Sequence, residues 1–94
     1  MNVIIYVRTN EKTSIYEQYN RCANFAKNYG YSISDKVLDF EGTKFYEAVN
    51  KVIANDNITA LIVYSKEAAF DNNDDYLFYK IYCEKLNKRL LSVI

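Results

Sequence analysis

The chain has 94 residues, of which half are apolar, and its twelve basic side chains are balanced by twelve acidic ones. This length indicates one small domain with a single core. A net charge of zero gives no overall field that would hold a nucleic acid, so nucleic acid is not an expected partner. No apolar run approaches a membrane span and the N-terminus lacks a charged signal region, so we expect a cytoplasmic protein without a membrane partner.

The two cysteines, Cys22 and Cys83, stand far apart in a chain that has no histidine. Both fall on predicted helices, where a buried free thiol is the usual state of a cysteine. Neither has the spacing of a metal site, so we expect no metal and no other cofactor.

The first half of the chain predicts two strands and two helices. Residues 3–7 are all apolar, which is typical of a strand buried on both faces. Ser14 and Glu17 have the spacing of a capping box that starts a helix, and Gly30 supplies a residue suited to end it. A more polar strand is predicted at 31–38. An amphipathic helix then carries Phe45, Ala48, Val49, Val52 and Ile53.

The second half predicts two further strands and one helix. Residues 58–64 are apolar except for Thr59 and indicate a central strand, and residues 65–73 are expected to form the longest loop. A helix is predicted over about 74–87 and a fourth strand over 90–94. The last helix is expected to turn four apolar side chains inward, namely Leu77, Phe78, Ile81 and Leu86.

Strands and helices alternate along the whole chain, which predicts an α/β three-layer sandwich. We expect a four-stranded parallel sheet of order 2-1-3-4, with helices on both faces and a flavodoxin-like topology. In such sheets ligands bind beyond the carboxyl ends of the strands, where the strand order reverses. That point lies between the first and third strands, where the loops at 8–11 and 65–71 meet.

Five short motifs follow one another along nearly the whole chain. Residues 6–10 are similar to a Y-x-R-x-S signature, and residues 14–22 to an S-x-x-x-Q-x-x-x-C stretch. Gly30-Tyr31 matches a helix exit, 39–42 a shortened D-x-x-S-G loop, and 62–67 the start of V-Y-x-x-D-R-x-x-R. In their order and spacing these motifs resemble the catalytic domain of serine site-specific recombinases, the resolvase–invertase family.

The resemblance also implies a set of active-site positions. In that family a serine hydroxyl attacks a DNA phosphate, and arginines stabilise the developing charge. Two family residues are matched here, and four positions carry another residue: the matched ones are Arg8 and Gln18, while Asn10 replaces the serine, Glu67 the aspartate, and Ala68 and Asp71 two arginines. The resemblance therefore implies a catalytically inactive domain that is not an enzyme.

A substitute nucleophile or a metal site at the loops 8–11 and 65–71 is less favoured. Thr9 would point to the opposite face of its strand from the serine position, and Ser65 has no arginines around it. The carboxylates Asp71, Asp74 and Asp75, with Glu67 nearby, are more typical of a solvated helix start than of a magnesium site.

The resemblance bears on domain organisation as well. Family members continue past the fourth strand into a long dimerisation helix and a DNA-binding domain, and this chain ends at Ile94, before both. We therefore expect residues 1–94 to form a single resolvase-like domain without either part.

These features favour a protein-interaction or regulatory module of recombinase origin, from a phage or mobile element. Its expected partner is a recombinase, a host protein or a second copy of the chain. The partner-binding candidates are tyrosines of the last helix and apolar residues of the last strand, namely Tyr76, Tyr79, Tyr82, Leu91 and Val93. Two alternatives remain open: a DNA-binding accessory protein of recombination, and a flavodoxin-like binder of a small molecule or nucleotide.

Overall fold

The computed structural model describes residues 1–94 as four strands and four helices. The strands are β1 (Asn2–Arg8), β2 (Ser32–Asp39), β3 (Ile58–Val63) and β4 (Arg89–Ser92). The helices are α1 (Ile15–Asn28), α2 (Phe45–Ile53), α3 (Lys66–Ala69) and α4 (Asn73–Lys85). None of them combines the length and apolar character needed to cross a membrane.

The strands form one parallel sheet in the order β2-β1-β3-β4, which confirms the predicted fold class and strand order. β1 is central, and its Tyr6 lies opposite Val37 of β2 and Val63 of β3. The five central side chains of β1 are fully buried, because helices cover both faces of the sheet.

Two apolar layers hold the helices against the sheet. α1 covers one face alone, through Ile15, Cys22 and Ala26. α2, α3 and α4 cover the other face, where the rings of Phe45 and Phe70 lie at the centre. The three-layer arrangement leaves the carboxyl ends of β1 and β3 side by side at one edge.

The boundaries of α1 follow from two local features that the sequence shows. The hydroxyl of Ser14 accepts a hydrogen bond from the backbone N–H of Glu17 at 3.1 Å, and so caps the first turn. Gly30 follows the helix with φ of +74°, a left-handed conformation that glycine adopts without strain.

The segment after β3 differs from the prediction. Residues 65–73 were expected to be a loop, but α3 forms inside it. Ser65 starts this short helix by accepting a hydrogen bond from the N–H of Ala68, and the serine is itself buried. A single turn has too few residues to show a helical period in sequence, which is why the prediction missed it.

The orientation of α4 also differs from the prediction. Leu77, Phe78, Ile81 and Leu86 were expected to face inward, and all four are exposed. The inward face instead carries Tyr76, Tyr79 and Cys83. Apolar residues occur all around this helix, so their spacing alone does not select the buried face. Packing decides it: Tyr76 and Tyr79 place their rings against Phe70 and Phe45.

Candidate functional site

Arg8 ends β1 at the edge of the sheet where a site was expected. Its guanidinium donates to the backbone oxygen of Ala69 at 3.3 Å and forms an ion pair with Asp71. Partial burial alone would lower the pKa of Arg8, but the hydrogen bond and charge of Asp71 outweigh it and raise that pKa. The cation of this edge is therefore already paired within the chain.

Gln18 is a buried link between the end of β1 and the start of α1. Its side-chain amide donates to the backbone oxygen of Arg8 at 2.7 Å and to that of Thr13 at 3.1 Å. Its side-chain oxygen accepts from the N–H of Arg8 at 3.4 Å. Every polar atom of this amide is thus bonded to backbone, which fixes Arg8 relative to α1.

The other positions implied by the family resemblance are spread around Arg8. Asn10 is partly exposed, and its side-chain oxygen accepts from the N–H of Lys12 at 2.7 Å in a local turn. Glu67 is exposed on α3, whereas Ala68 is buried beneath it. The structure thus brings Arg8, Gln18 and Asp71 together. The other three family positions do not join them, since two are at least partly exposed and one is buried below the surface.

A shallow depression of about 160 Å³ opens beside Arg8 and Asp71. Gly42 closes one side of it, with φ of +79° and the place of a β-carbon 3.5 Å from the Arg8 Nε atom. Thr43 also lines the depression. An anion entering here would compete with Asp71 for Arg8, so the depression binds anions only if that ion pair opens.

Asp39 organises the loop that borders this depression, a role that was not predicted although the residue begins the 39–42 motif. It is fully buried at the end of β2, where it accepts hydrogen bonds from the Tyr6 hydroxyl and from four consecutive backbone N–H groups. These donors belong to Glu41, Gly42, Thr43 and Lys44. The carboxylate therefore holds the entry to α2, with Gly42 and Thr43, in place beside Arg8.

The carboxylate of Asp39 should make the free energy of unfolding depend on pH. Burial alone would raise the pKa of Asp39, but the bonds from Tyr6 and the backbone outweigh it and lower that pKa. Because the pKa of Asp39 is lower in the folded chain than in the unfolded one, its ionised carboxylate stabilises the fold. This contribution is complete at pH values above the unfolded-state pKa of about 4, and it is lost as the pH falls through the folded-state pKa. In urea unfolding at pH 7 and pH 3, we expect Asp39→Asn to lose less stability on acidification than the parent. An equal loss in the two proteins would contradict this.

A second feature lies on the far side of α4 from the sheet. Leu77, Phe78, Ile81 and Tyr82 are adjacent and point outward, and their side chains are 40–61% exposed. We call these four residues the outer α4 surface. The rings of Phe78 and Tyr82 stack with 6.0 Å between centroids, and a depression of about 190 Å³ lies between these rings, Ile81 and Lys85.

The partner-binding candidates from the sequence are divided by the structure. Tyr82 belongs to the outer α4 surface, whereas Tyr76 and Tyr79 pack against the core. Leu91 and Val93 of the last segment are partly buried against the layer beneath α1. Because Tyr76 and Tyr79 face inward, the helical period places Phe78 and Ile81 outward.

The cysteines and the acidic side chains form no site. Cys22 and Cys83 are buried and free, as predicted, and burial raises the pKa of Cys22 to about 12. No group of three or more His, Cys, Asp or Glu side chains lies close enough together to hold a metal ion.

Solved structures provide the comparison with known proteins, since no protein-family model and no curated protein matches the chain. The N-terminal catalytic domain of TP901-1 integrase is 25% identical, with a TM-score of 0.82 over 99% of this chain and 77% of that one. A resolvase family site-specific recombinase from Streptococcus pneumoniae has a TM-score of 0.86 at 19% identity, over 99% and 72%. The catalytic domain of ISC1926 TnpA, an IS607-like serine recombinase, has 0.76 at 16% identity, over 100% and 70%.

These matches bear on two predictions from the sequence. The prediction that the chain is not an enzyme is wrong by this comparison, because the structures it matches over nearly its whole length are themselves catalytic domains of enzymes. The resemblance on which that prediction was built is confirmed. The chain has the fold of serine recombinase catalytic domains and is similar to them from end to end.

Proposed function

We propose that this domain is a protein-interaction module of DNA recombination, which regulates a serine recombinase by binding it through the outer α4 surface. The observation that carries the proposal is the cluster of four large apolar side chains left in solvent on one helix. Clusters of this kind mark interaction sites on small domains, because leaving them in water is unfavourable. The fold, shared with an integrase and a resolvase family recombinase, supports recombination as the setting.

The composition of the surface favours a protein as the partner. Phe78 and Tyr82 are aromatic and already stacked on each other, so binding would cost them little side-chain freedom. The depression between them is bordered by Lys85, which provides a polar rim next to an apolar centre. A centre of this kind, with charges at its edge, is the usual plan of a protein–protein interface.

The site around Arg8, at the carboxyl end of β1, is less suited to binding DNA than the outer α4 surface is to binding a protein. Its guanidinium is paired with Asp71, and the carboxylate of Asp75 lines the same depression. Since the chain has no net positive charge, no broad basic surface compensates for this pairing. DNA binding at this site therefore requires the Arg8–Asp71 ion pair to open, whereas protein binding at the outer α4 surface requires no such rearrangement.

A recombination assay tests the proposal directly. The purified domain is added to a serine recombinase from the same host, and the rate of strand exchange is measured against domain concentration. We expect the parent domain to change the rate, and Phe78→Ser/Ile81→Ser to need about tenfold more protein for the same effect, as loss of central apolar contacts does. A matched control, Tyr16→Ser/Tyr46→Ser, removes exposed tyrosines from α1 and α2 and should behave as the parent does. No effect of the parent domain, or equal effects of the two double variants, would overturn the proposal.

A further inference from the structure

The outer α4 surface is flanked by opposite charges at its two ends. Asp74, Phe78, Ile81 and Lys85 are spaced by four, three and four residues within α4, so they lie on one face of the helix. The Cα atoms of Asp74 and Lys85 are about 16 Å apart along the helix axis, with the apolar pair Phe78 and Ile81 between them. Neither Asp74 nor Lys85 has an ion-pair partner in its own chain.

This order of residues is complementary to itself when reversed. If two α4 helices lie antiparallel about a two-fold axis between Phe78 and Ile81, the Asp74 of each copy faces Lys85 of the other. In the same register Phe78 faces Ile81, while on the two flanks each Leu77 lies beside the Leu77 of the other copy and each Tyr82 beside the other Tyr82. One arrangement therefore pairs every apolar side chain of the surface with another and every flanking charge with its opposite.

We propose that the outer α4 surface binds the same surface of a second copy of this chain, with the two helices antiparallel. The inference rests on the proposed function in using the same surface, and a dimer formed there has to open before that surface binds a recombinase. A parallel pair is disfavoured, because it would bring Asp74 against Asp74 and Lys85 against Lys85. By contrast, Lys80 and Glu84 are paired with each other within one chain, 3.6 Å apart, and have no need of a partner.

Sedimentation equilibrium of the parent chain is the first part of the test. A pair of single helices forms a small interface, so the concentration series should run from about 10 µM to about 1 mM, where weak complexes of this size dissociate. We expect a reversible monomer–dimer equilibrium within that series. A chain that stays monomeric at every concentration overturns the inference and leaves the surface to a different protein.

Charge exchange is the second part of the test, and it distinguishes the antiparallel arrangement from nonspecific association of apolar surfaces. Asp74→Lys and Lys85→Glu should each weaken the dimer by about fivefold or more, because two-fold symmetry makes each reversal act twice. The combined variant Asp74→Lys/Lys85→Glu restores opposite charges across the axis and should recover the dimerisation of the parent. Reversals that leave the dimer unchanged, or a combined variant that is weaker than both single ones, overturn the antiparallel arrangement.

Two measurements keep the outcome clear. Lys80→Glu/Glu84→Lys exchanges charges outside the proposed interface and should dimerise as the parent does, and circular dichroism of each variant confirms that α4 is folded.

Failure of the inference is distinguishable from failure of the proposed function. A monomer that still alters recombination through Phe78 and Ile81 disproves only the dimer, whereas a dimer without effect on recombination disproves only the regulatory role.

Discussion

Replacing Asp39 by alanine is expected to lower the free energy of unfolding by about 3–5 kcal/mol, the range for breaking a buried hydrogen-bonded network. The loss should be this large because the carboxylate accepts from four backbone N–H groups and the Tyr6 hydroxyl. After the substitution these donors would remain near the core without an acceptor. Urea unfolding followed by circular dichroism measures the difference.

Asp35 provides the matched control for this prediction. It lies on the same strand but is exposed, and its carboxylate forms only a surface ion pair with Lys51 at 2.9 Å and a local bond with a backbone N–H. Asp35→Ala should therefore cost less than about 1 kcal/mol, as exposed ion pairs do. If the two alanine variants were equally stable, Asp39 would not organise the loop before α2 as the structure indicates.

Replacing Asp71 by asparagine is expected to turn the edge of the sheet into an anion-binding site. The substitution frees the Arg8 guanidinium, which keeps its bond to the Ala69 oxygen and its position beside Gly42. A guanidinium with open donors binds phosphate oxygens strongly, so affinity for duplex DNA should rise about tenfold at low salt. Fluorescence anisotropy of labelled duplex DNA over a salt series measures it.

The change in net charge needs its own control in that experiment. Asp56→Asn removes one negative charge from an exposed loop and leaves Arg8 paired, so it should raise DNA affinity far less. The gain at Asp71 should also fall as salt rises, because it depends on charge. Equal affinities in the two variants would show that the Arg8–Asp71 pair does not control anion binding.

The sheet could be predicted from the sequence because its signals are local and strong. The buried strands β1 and β3 are almost entirely apolar in their centres, and the cap at Ser14 and the glycine at position 30 mark the two ends of α1. The alternation of strands and helices then leaves few topologies, and the predicted strand order is the observed one.

The parts that could not be predicted depend on packing between distant residues and on the conformation of one turn. The inward face of α4 is set by Phe45 and Phe70, which lie outside that helix, so its own periodicity could not reveal it. The role of Asp39 depends on a tight turn that folds four N–H groups back onto one carboxylate. Neither feature leaves a pattern within a short window of sequence.

The chain's two candidate surfaces lie apart, and one measurement decides which of them meets a protein. Isotope-labelled domain is titrated with the unlabelled catalytic domain of a serine recombinase from the same host, and backbone amide shifts are mapped by NMR. We expect the changes to centre on residues 77–82 of α4, with little change at 8–10 and 66–71. Shifts centred on the Arg8 edge, with α4 unaffected, would contradict the assignment of the outer α4 surface as the binding site.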